Sequence, residues 1–336
     1  MTLALITINR PSLESAQRLL PYLHGHEVEV YGKAGLEHTI EHLHTFAKLD
    51  DILPQAWHRY DALIFVMATG AVVRKIAPLL ESKATDPAVI VINLALDKVL
   101  PLLGGHLGGA NALSLELSER LRAVNFITTA TDQTETLAFD TVAKARGWTI
   151  ENLPALAPIS NRLLNGKTVK VATPLAAFAS LSDTENLVRV EYDTIDQNTV
   201  VIAPHIASDA LTLKPPVTLG IGCNRGTPFA LLQEAVERFV ARHNMTTAQV
   251  KQIASFEAKR DETGLLELAE HYGWRIDFYG AEAINALPQT FSPSASSRFF
   301  GLKGVAEPSA VLASIHHELI LPKEVYFDSV TIAGAI

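Results

Sequence analysis

Along residues 1–150, short β-branched apolar runs alternate with longer segments of helical period, and this alternation limits the fold more than any other feature. Strand-like runs lie at Thr2–Ile8, Glu27–Tyr31, Ala62–Met67 and Ala88–Asn93. Helix-like runs lie at Leu13–Leu23, Leu36–Lys48, Val72–Leu80, Ala110–Arg122 and Thr134–Arg146. The pattern predicts βαβ units around an open, mostly parallel sheet. Asp132, Gln133, Thr134 and Glu135 fit a capping box for the last helix, and Gly147 fits its C-terminal stop.

The periodicity weakens over residues 151–213, which read as an irregular middle region with short runs at Val169–Ala172 and Leu187–Val190. Lys214-Pro215-Pro216 reads as a stiff connection. A separate C-terminal α/β domain is expected over residues 214–336. Its strands are Val217–Ile221, Val250–Ala254 and Arg275–Phe278, and its helices are Phe229–Arg242, Glu262–His271 and Ala281–Ala286. Thr227 suits the N-cap and Pro228 the first turn of the first of these helices. Residues 287–308 read as loop, and Glu318–Leu321 and Val325–Ile332 as an antiparallel edge.

A chain of 336 residues with 48% hydrophobic and 19% charged residues has ample core for two or three domains. Its net charge of −8 argues against nucleic acid as the main partner. Cys223 is the only cysteine, so an intrachain disulfide is excluded and a reducing, cytoplasmic setting is expected. Met1–Ile8 carries no basic stretch before its apolar run and reads as a first strand rather than a signal peptide. No apolar segment is long enough to span a bilayer.

The densest chemical signal is Leu102-Leu103-Gly104-Gly105-His106-Leu107-Gly108-Gly109-Ala110-Asn111, four glycines around one histidine at a helix start. Glycine clusters where the main chain is approached closely or φ is positive, and amides at a helix start attract anions. His106 is the candidate general base, with the surrounding N–H groups as oxyanion donors. The same residues would also serve a plain strand-to-helix turn. Ala68-Thr69-Gly70 begins a second strand–turn–helix junction, and a helix starting at Val72 puts Arg74 and Lys75 in its first turn, where a bound anion would explain them.

Gly220-Ile221-Gly222-Cys223-Asn224-Arg225-Gly226 is a third junction. It has the form of a dinucleotide turn but lacks the acid expected after the next strand, so a carboxylate or phosphate cradle fits better than a nucleotide site. Lys259 and Glu262, just past a strand end, are candidate ligand contacts or simply part of a solvated charge run. Cys223 reads as a small core residue before a nucleophile. The histidine pair His38 and His42 has helical zinc spacing but no supporting ligands, and His316-His317 reads as surface.

Taken in order, several of these fragments resemble the CbiG family of cobalamin-biosynthesis proteins, the cobalt-precorrin-5A hydrolases. The N-terminal fragments are Ala68-Thr69-Gly70, Val73-Arg74, Ile76-Ala77-Pro78-Leu79-Leu80, Thr85-Asp86-Pro87-Ala88-Val89, the glycine–histidine run, and Thr128-Thr129-Ala130-Thr131-Asp132. The C-terminal ones are Gly220–Thr227, Lys259 with Glu262 and Gly264-Leu265-Leu266, and Gly304–Ala310; this half is also similar to the stand-alone CobE proteins. The chain departs from the family pattern at Asn93 and Leu94, where an acid is usual, and at Asn224, where a second basic residue is usual.

The resemblance implies a substrate that is a cobalt-containing tetrapyrrole with many carboxylates and a ring-A lactone. The expected reaction opens the lactone and expels acetaldehyde. His106 is the expected base. Thr69, Gly70, Arg74, Gly104, Gly105, Gly108, Gly109, Asn111, Gly222, Asn224, Arg225, Gly226, Lys259 and Glu262 are the expected substrate contacts. Cobalt would arrive with the substrate, with no resident metal or cofactor, and hand-over to other enzymes of the pathway is expected. A non-catalytic tetrapyrrole carrier is the alternative, with a nucleotide-dependent enzyme behind it.

Overall fold

Strands that are apolar at every residue belong in sheets covered on both faces, and the two best examples, Ala62–Val66 and Ala88–Ile92, are buried throughout. They form the middle of a seven-stranded sheet. The computed structural model describes residues 1–129, 136–182, 184–293 and 301–336. The chain divides into two compact units, 1–136 and 137–336.

In the first unit the elements are β1 (Thr2–Ile6), α1 (Arg10–Leu19), β2 (Glu27–Lys33), β3 (His44–Phe46), α2 (Leu49–Arg59), β4 (Ala62–Val66), α3 (Thr69–Ile76), β5 (Ala88–Ile92), β6 (Lys98–Leu103), α4 (Ala110–Leu121) and β7 (Val124–Asn125). The sheet order is β3-β2-β1-β4-β5-β6-β7. Strands β1 to β5 are mutually parallel and β6 runs antiparallel to β5. Leu13, Ala16 and Leu19 of α1 pack with Ala110, Leu113 and Leu117 of α4 on one face. Leu53, Ala56 and Trp57 of α2 pack with Val72 and Ile76 of α3 on the other.

Two expectations in this unit fail. Residues 36–43 are not helical: His42 takes φ of 57° and β3 follows at once, pairing His44 with Tyr31. β-Branched Thr39, Ile40 and Thr45 suit that extended course. The helix comes later, as α2, where the Lys48 N–H donates to the Asp51 carboxylate at 3.1 Å and Asp50 and Asp51 complement the helix dipole. His38 and His42 therefore share no helix face, and no cluster of three or more metal-ligating side chains occurs among the described residues. Helix α3 begins at Thr69 rather than Val72, so Arg74 and Lys75 lie in its last turn, where cations are favoured. The anion once needed to explain them is unnecessary.

The second unit opens with α5 (Phe139–Arg146); the capping box expected at Asp132–Glu135 lies outside the described residues. The middle region is a real sheet rather than irregular chain. Its elements are β8 (Thr149–Glu151), α6 (Leu156–Leu164), β9 (Val169–Ala172), α7 (Leu175–Ala179), β10 (Leu187–Val190), β11 (Thr199–Ile202) and β12 (Leu211–Lys214). They are ordered β10-β9-β11-β12-β8, parallel except for β8. Strands of three or four residues are too short to show a clear period in sequence.

The last sheet joins β13 (Val217–Cys223), β14 (Val250–Phe256), β15 (Arg275–Tyr279), β16 (Leu319–Tyr326) and β17 (Val330–Ala335) in the order β15-β14-β13-β17-β16. The first three are parallel, and β17 and β16 form the expected antiparallel edge. Helices α8 (Phe229–Arg242) and α9 (Thr263–Tyr272) pack against this sheet, and α10 (Ala281–Ala286) precedes α11 (Ala306–Ala313). Helix α11, whose first three residues fall in the stretch 287–308 read as loop, lies directly on β13: a Cβ on Gly220 would sit 1.8 Å from the Ala306 carbonyl oxygen.

Candidate functional site

Because β6 runs antiparallel to β5, pairing Leu103 with Val89, the chain leaves β6 at the amino-terminal edge of β5. The glycine–histidine turn therefore sits beside Pro87 and Ala88. Gly104 (φ 70°) and Gly109 (φ 88°) take left-handed backbone that a side chain would strain. A Cβ on Gly104 would lie 2.9 Å from the Pro87 carbonyl, and one on Gly108 would lie 2.6 Å from the Gly104 carbonyl. The turn is wound on itself, and its contents are half-exposed from Gly104 to Gly108.

Three amides are used in closing it. Gly109, Ala110 and Asn111 N–H donate to the carbonyls of His106, Gly104 and Gly105, each at 3.0 Å. The N–H groups of Gly105 and Gly108 find no acceptor among the described residues. Asn111 is a clamp: its side chain is buried, its amide donates to Thr129 Oγ1 at 2.9 Å, and its Oδ1 lies 3.0 Å from the Cβ position of Gly105. Thr129, which the sequence offers only as part of the 128–132 fragment and not as a site residue, is thus part of the turn's support. Three fragments far apart in sequence, 85–89, 102–111 and 128–129, converge at this edge.

Thr69, Gly70 and Arg74 do not join them. They follow the carboxyl end of β4, whose Val66 pairs with Ile92, whereas the glycine turn adjoins the start of β5. The two ends are separated by four strand steps, about 13 Å. Arg74 Nη1 donates to the Gly70 carbonyl of its own helix at 3.0 Å, and Lys75 pairs with Asp50 at 2.7 Å.

In the second unit Asn224, Arg225, Gly226, Lys259 and Glu262 do gather, beyond the carboxyl ends of β13 and β14. Gly220 and Gly222 lie within β13 rather than in a turn, and a Cβ on Gly222 would meet Thr331 Oγ1 at 2.6 Å. They allow close packing of α11 and β17, which removes the dinucleotide reading of the motif. Only Gly226, at φ 76°, is a turn glycine. Helix α8 has the expected span, but its cap is Pro228 rather than Thr227, whose Oγ1 donates instead to the Asn224 carbonyl at 2.8 Å.

The charges of this cluster are paired internally. Arg225 donates to Asp261 at 2.6 Å and to the Ala258 carbonyl at 3.1 Å, and the pairing holds the Asp261 carboxyl below its usual range. Asp261 was passed over in the charge run. Glu262 is 3% exposed and accepts the Gly226 N–H at 2.5 Å. Burial pushes the Cys223 thiol up to about 11, which disfavours a thiolate near neutral pH. Glu307, within the Gly304–Ala310 fragment, is buried and accepts from Ser292 N–H, Ser292 O–H and Lys323 N–H at 2.6, 2.9 and 3.0 Å, a structural staple. His316 is not a plain surface residue: its ring packs edge-on to Trp148 and burial lowers its pKa.

Three family models match the chain in series: cobalamin synthesis G N-terminal over 51–132, cobalamin biosynthesis central region over 137–215, and cobalamin synthesis G C-terminus over 217–335. The chain is 32% identical over 313 residues to the cobalt-precorrin-5A hydrolase of Priestia megaterium, covering 85% of this chain and 81% of that one. It is 33% identical over 273 residues to the cobalt-precorrin-5A hydrolase of Salmonella typhimurium, covering 77% and 78%. A shorter similarity, 26% over 121 residues, links it to the protein CobE of Sinorhizobium sp, covering 35% of this chain and 79% of that one.

Proposed function

The chain belongs to the cobalamin synthesis G family of cobalt-precorrin-5A hydrolases, and from that premise we propose that its half-exposed glycine–histidine turn is where the substrate's lactone is opened. The activity is hydrolysis of cobalt-precorrin-5A, a reaction at a carbon–carbon bond. Relatives spanning most of the chain are named hydrolases, which favours an enzyme over a carrier.

In this reading water attacks the lactone carbonyl while His106 takes its proton. The developing oxyanion meets the N–H groups of Gly105 and Gly108, the two turn amides without acceptors among the described residues. Gly104, Gly109 and Asn111 shape the turn rather than touch the ester. The opened intermediate then releases its two-carbon fragment as acetaldehyde. Cobalt belongs to the substrate, and no resident metal or cofactor is assigned. Thr69, Gly70 and Arg74 stay outside the lactone pocket, since they lie at the other end of the sheet.

The observation that carries this assignment is the pair of amides on either side of His106, in a half-exposed turn, that find no acceptor among the described residues. No helix among the described residues is long and apolar enough to cross a membrane. A cytoplasmic location, with the product passed to later enzymes of the route, belongs to the same proposal. The test is incubation with cobalt-precorrin-5A and trapping of acetaldehyde. Wild-type protein should release it stoichiometrically with lactone opening, and retention of the macrocycle unchanged would leave only the carrier reading.

A further inference from the structure

Glu262 stands at the start of α9, and its main-chain carbonyl accepts the N–H groups of Leu265 and Leu266 at 3.0 and 3.2 Å. Its side chain turns the other way, into the loop that follows β13, where it takes the Gly226 N–H at 2.5 Å. The approach is possible because residue 264 is glycine: a Cβ there would lie 2.3 Å from the Thr227 carbonyl oxygen. The protein's own carboxylate therefore fills the cradle that the sequence offers to an external anion.

The second oxygen, Oε2, is buried and accepts no hydrogen bond. It faces Lys259 Nζ at 3.5 Å and Arg225 Nε at 4.0 Å. A carboxylate left this way is costly unless nearby cations compensate it. Arg225 is already engaged by Asp261 and the Ala258 carbonyl and is largely exposed. Lys259 is different. Its side chain is 18% exposed, and Glu262 is its one ion-pair partner among the described residues, at a distance too long for a tight hydrogen bond. An ammonium has three donors, so Lys259 is held by charge yet keeps donors to give.

We infer that Glu262 is a positioning residue: its buried carboxylate locks the Gly226 loop and holds Lys259 so that the ammonium meets a peripheral carboxylate of the macrocycle. This rests on the reading of the substrate as an acid-bearing tetrapyrrole. Glu262 itself, sealed under the loop, does not touch the substrate.

The test is steady-state turnover of cobalt-precorrin-5A by full-length wild type, Lys259→Met, Glu262→Gln and the double variant, with thermal melts to confirm folding. Lys259→Met should raise KM about tenfold with little change in kcat, as for loss of one charge-assisted hydrogen bond. Glu262→Gln should raise KM about threefold or more, and the double variant should match Lys259→Met alone, because Glu262 acts through Lys259. Multiplying effects in the double variant, or a fall in kcat without a rise in KM, would overturn the inference. Should Glu262→Gln fail to fold, Lys259→Met decides by itself: an unchanged KM defeats the proposal. Wild-type protein that releases no acetaldehyde defeats the functional reading instead, so the two failures are separable.

Discussion

The two glycine-rich turns look alike in sequence and are opposites in space. The turn at 104–109 folds on itself, uses three amides to close, and leaves those of Gly105 and Gly108 without an acceptor among the described residues. In the stretch from Gly220 to Gly226, two glycines are packing positions inside a strand, and the turn amide that remains is taken by Glu262. Glycine spacing reports that something comes close to the backbone. It does not report whether that something is a ligand, a helix or the protein's own carboxylate.

The contrast breaks most sharply at His106. His106→Ala should lower kcat for acetaldehyde release by about 10²–10⁴, the usual range for a lost general base, with the melting temperature preserved. A variant that turns over normally would make the N-terminal turn as purely structural as the C-terminal one. The next largest effect concerns the glycines. Gly108→Ala puts a methyl 2.6 Å from the Gly104 carbonyl and 3.2 Å from the Ala88 nitrogen, so backbone must move. A cost of about 1–3 kcal/mol in urea unfolding is expected, with loss of turnover. Gly226→Ala meets nothing within 4 Å and bears only the penalty of its positive φ, about 1 kcal/mol. Equal costs would show that the N-terminal turn is looser than its contacts imply.

What the sequence made legible follows from these same contacts. Long amphipathic helices such as Phe229–Arg242 and the apolar central strands were readable because burial imposes a period that composition preserves. The direction of β6 was not. It depends on a five-residue reversal in which Asn93 Oδ1 accepts the N–H groups of Asp97 and Lys98 at 3.2 and 3.1 Å and Leu96 takes φ of 61°. That reversal carries the glycine turn to the far end of the sheet from Thr69 and Gly70, so residues expected to share a site are parted. The Asn93 side chain thereby has a local structural role. In the C-terminal cluster the residue types were recognised but not their roles. Arg225 reads as a free cation because its partner Asp261 meets it only across two loops, while Lys259 and Glu262 pair three residues apart within the charge run, where the sequence does not show that the Glu262 side chain turns inward.

A smaller effect sharpens the comparison at Cys223. Burial moves the thiol from 9.0 to about 11. Its thiolate fraction at pH 8 should be about a hundredfold below that of an unperturbed thiol. Alkylation by iodoacetamide should be slow at pH 8 and quicken as the pH is raised toward 11. Fast labelling at pH 8 would mean that the C-terminal loop opens readily and is not held shut by Glu262.

The smallest effect lies at the exposed Arg225–Asp261 pair. The folded Asp261 carboxyl is held below its ordinary 3.8, first by the hydrogen bond from Arg225. A group so depressed stabilises the fold above its unfolded value, and that contribution fades as the pH falls through the folded value. Both partners are solvent-facing, so screening keeps the contribution small. Asp261→Asn should therefore lower the melting temperature only slightly at pH 7, less so in high salt, and by nothing once the pH has fallen below the folded value. A large loss at pH 7 would mean that Arg225 is a structural strut of the loop, and a loss that persists at low pH would mean that shape rather than charge joins the two residues.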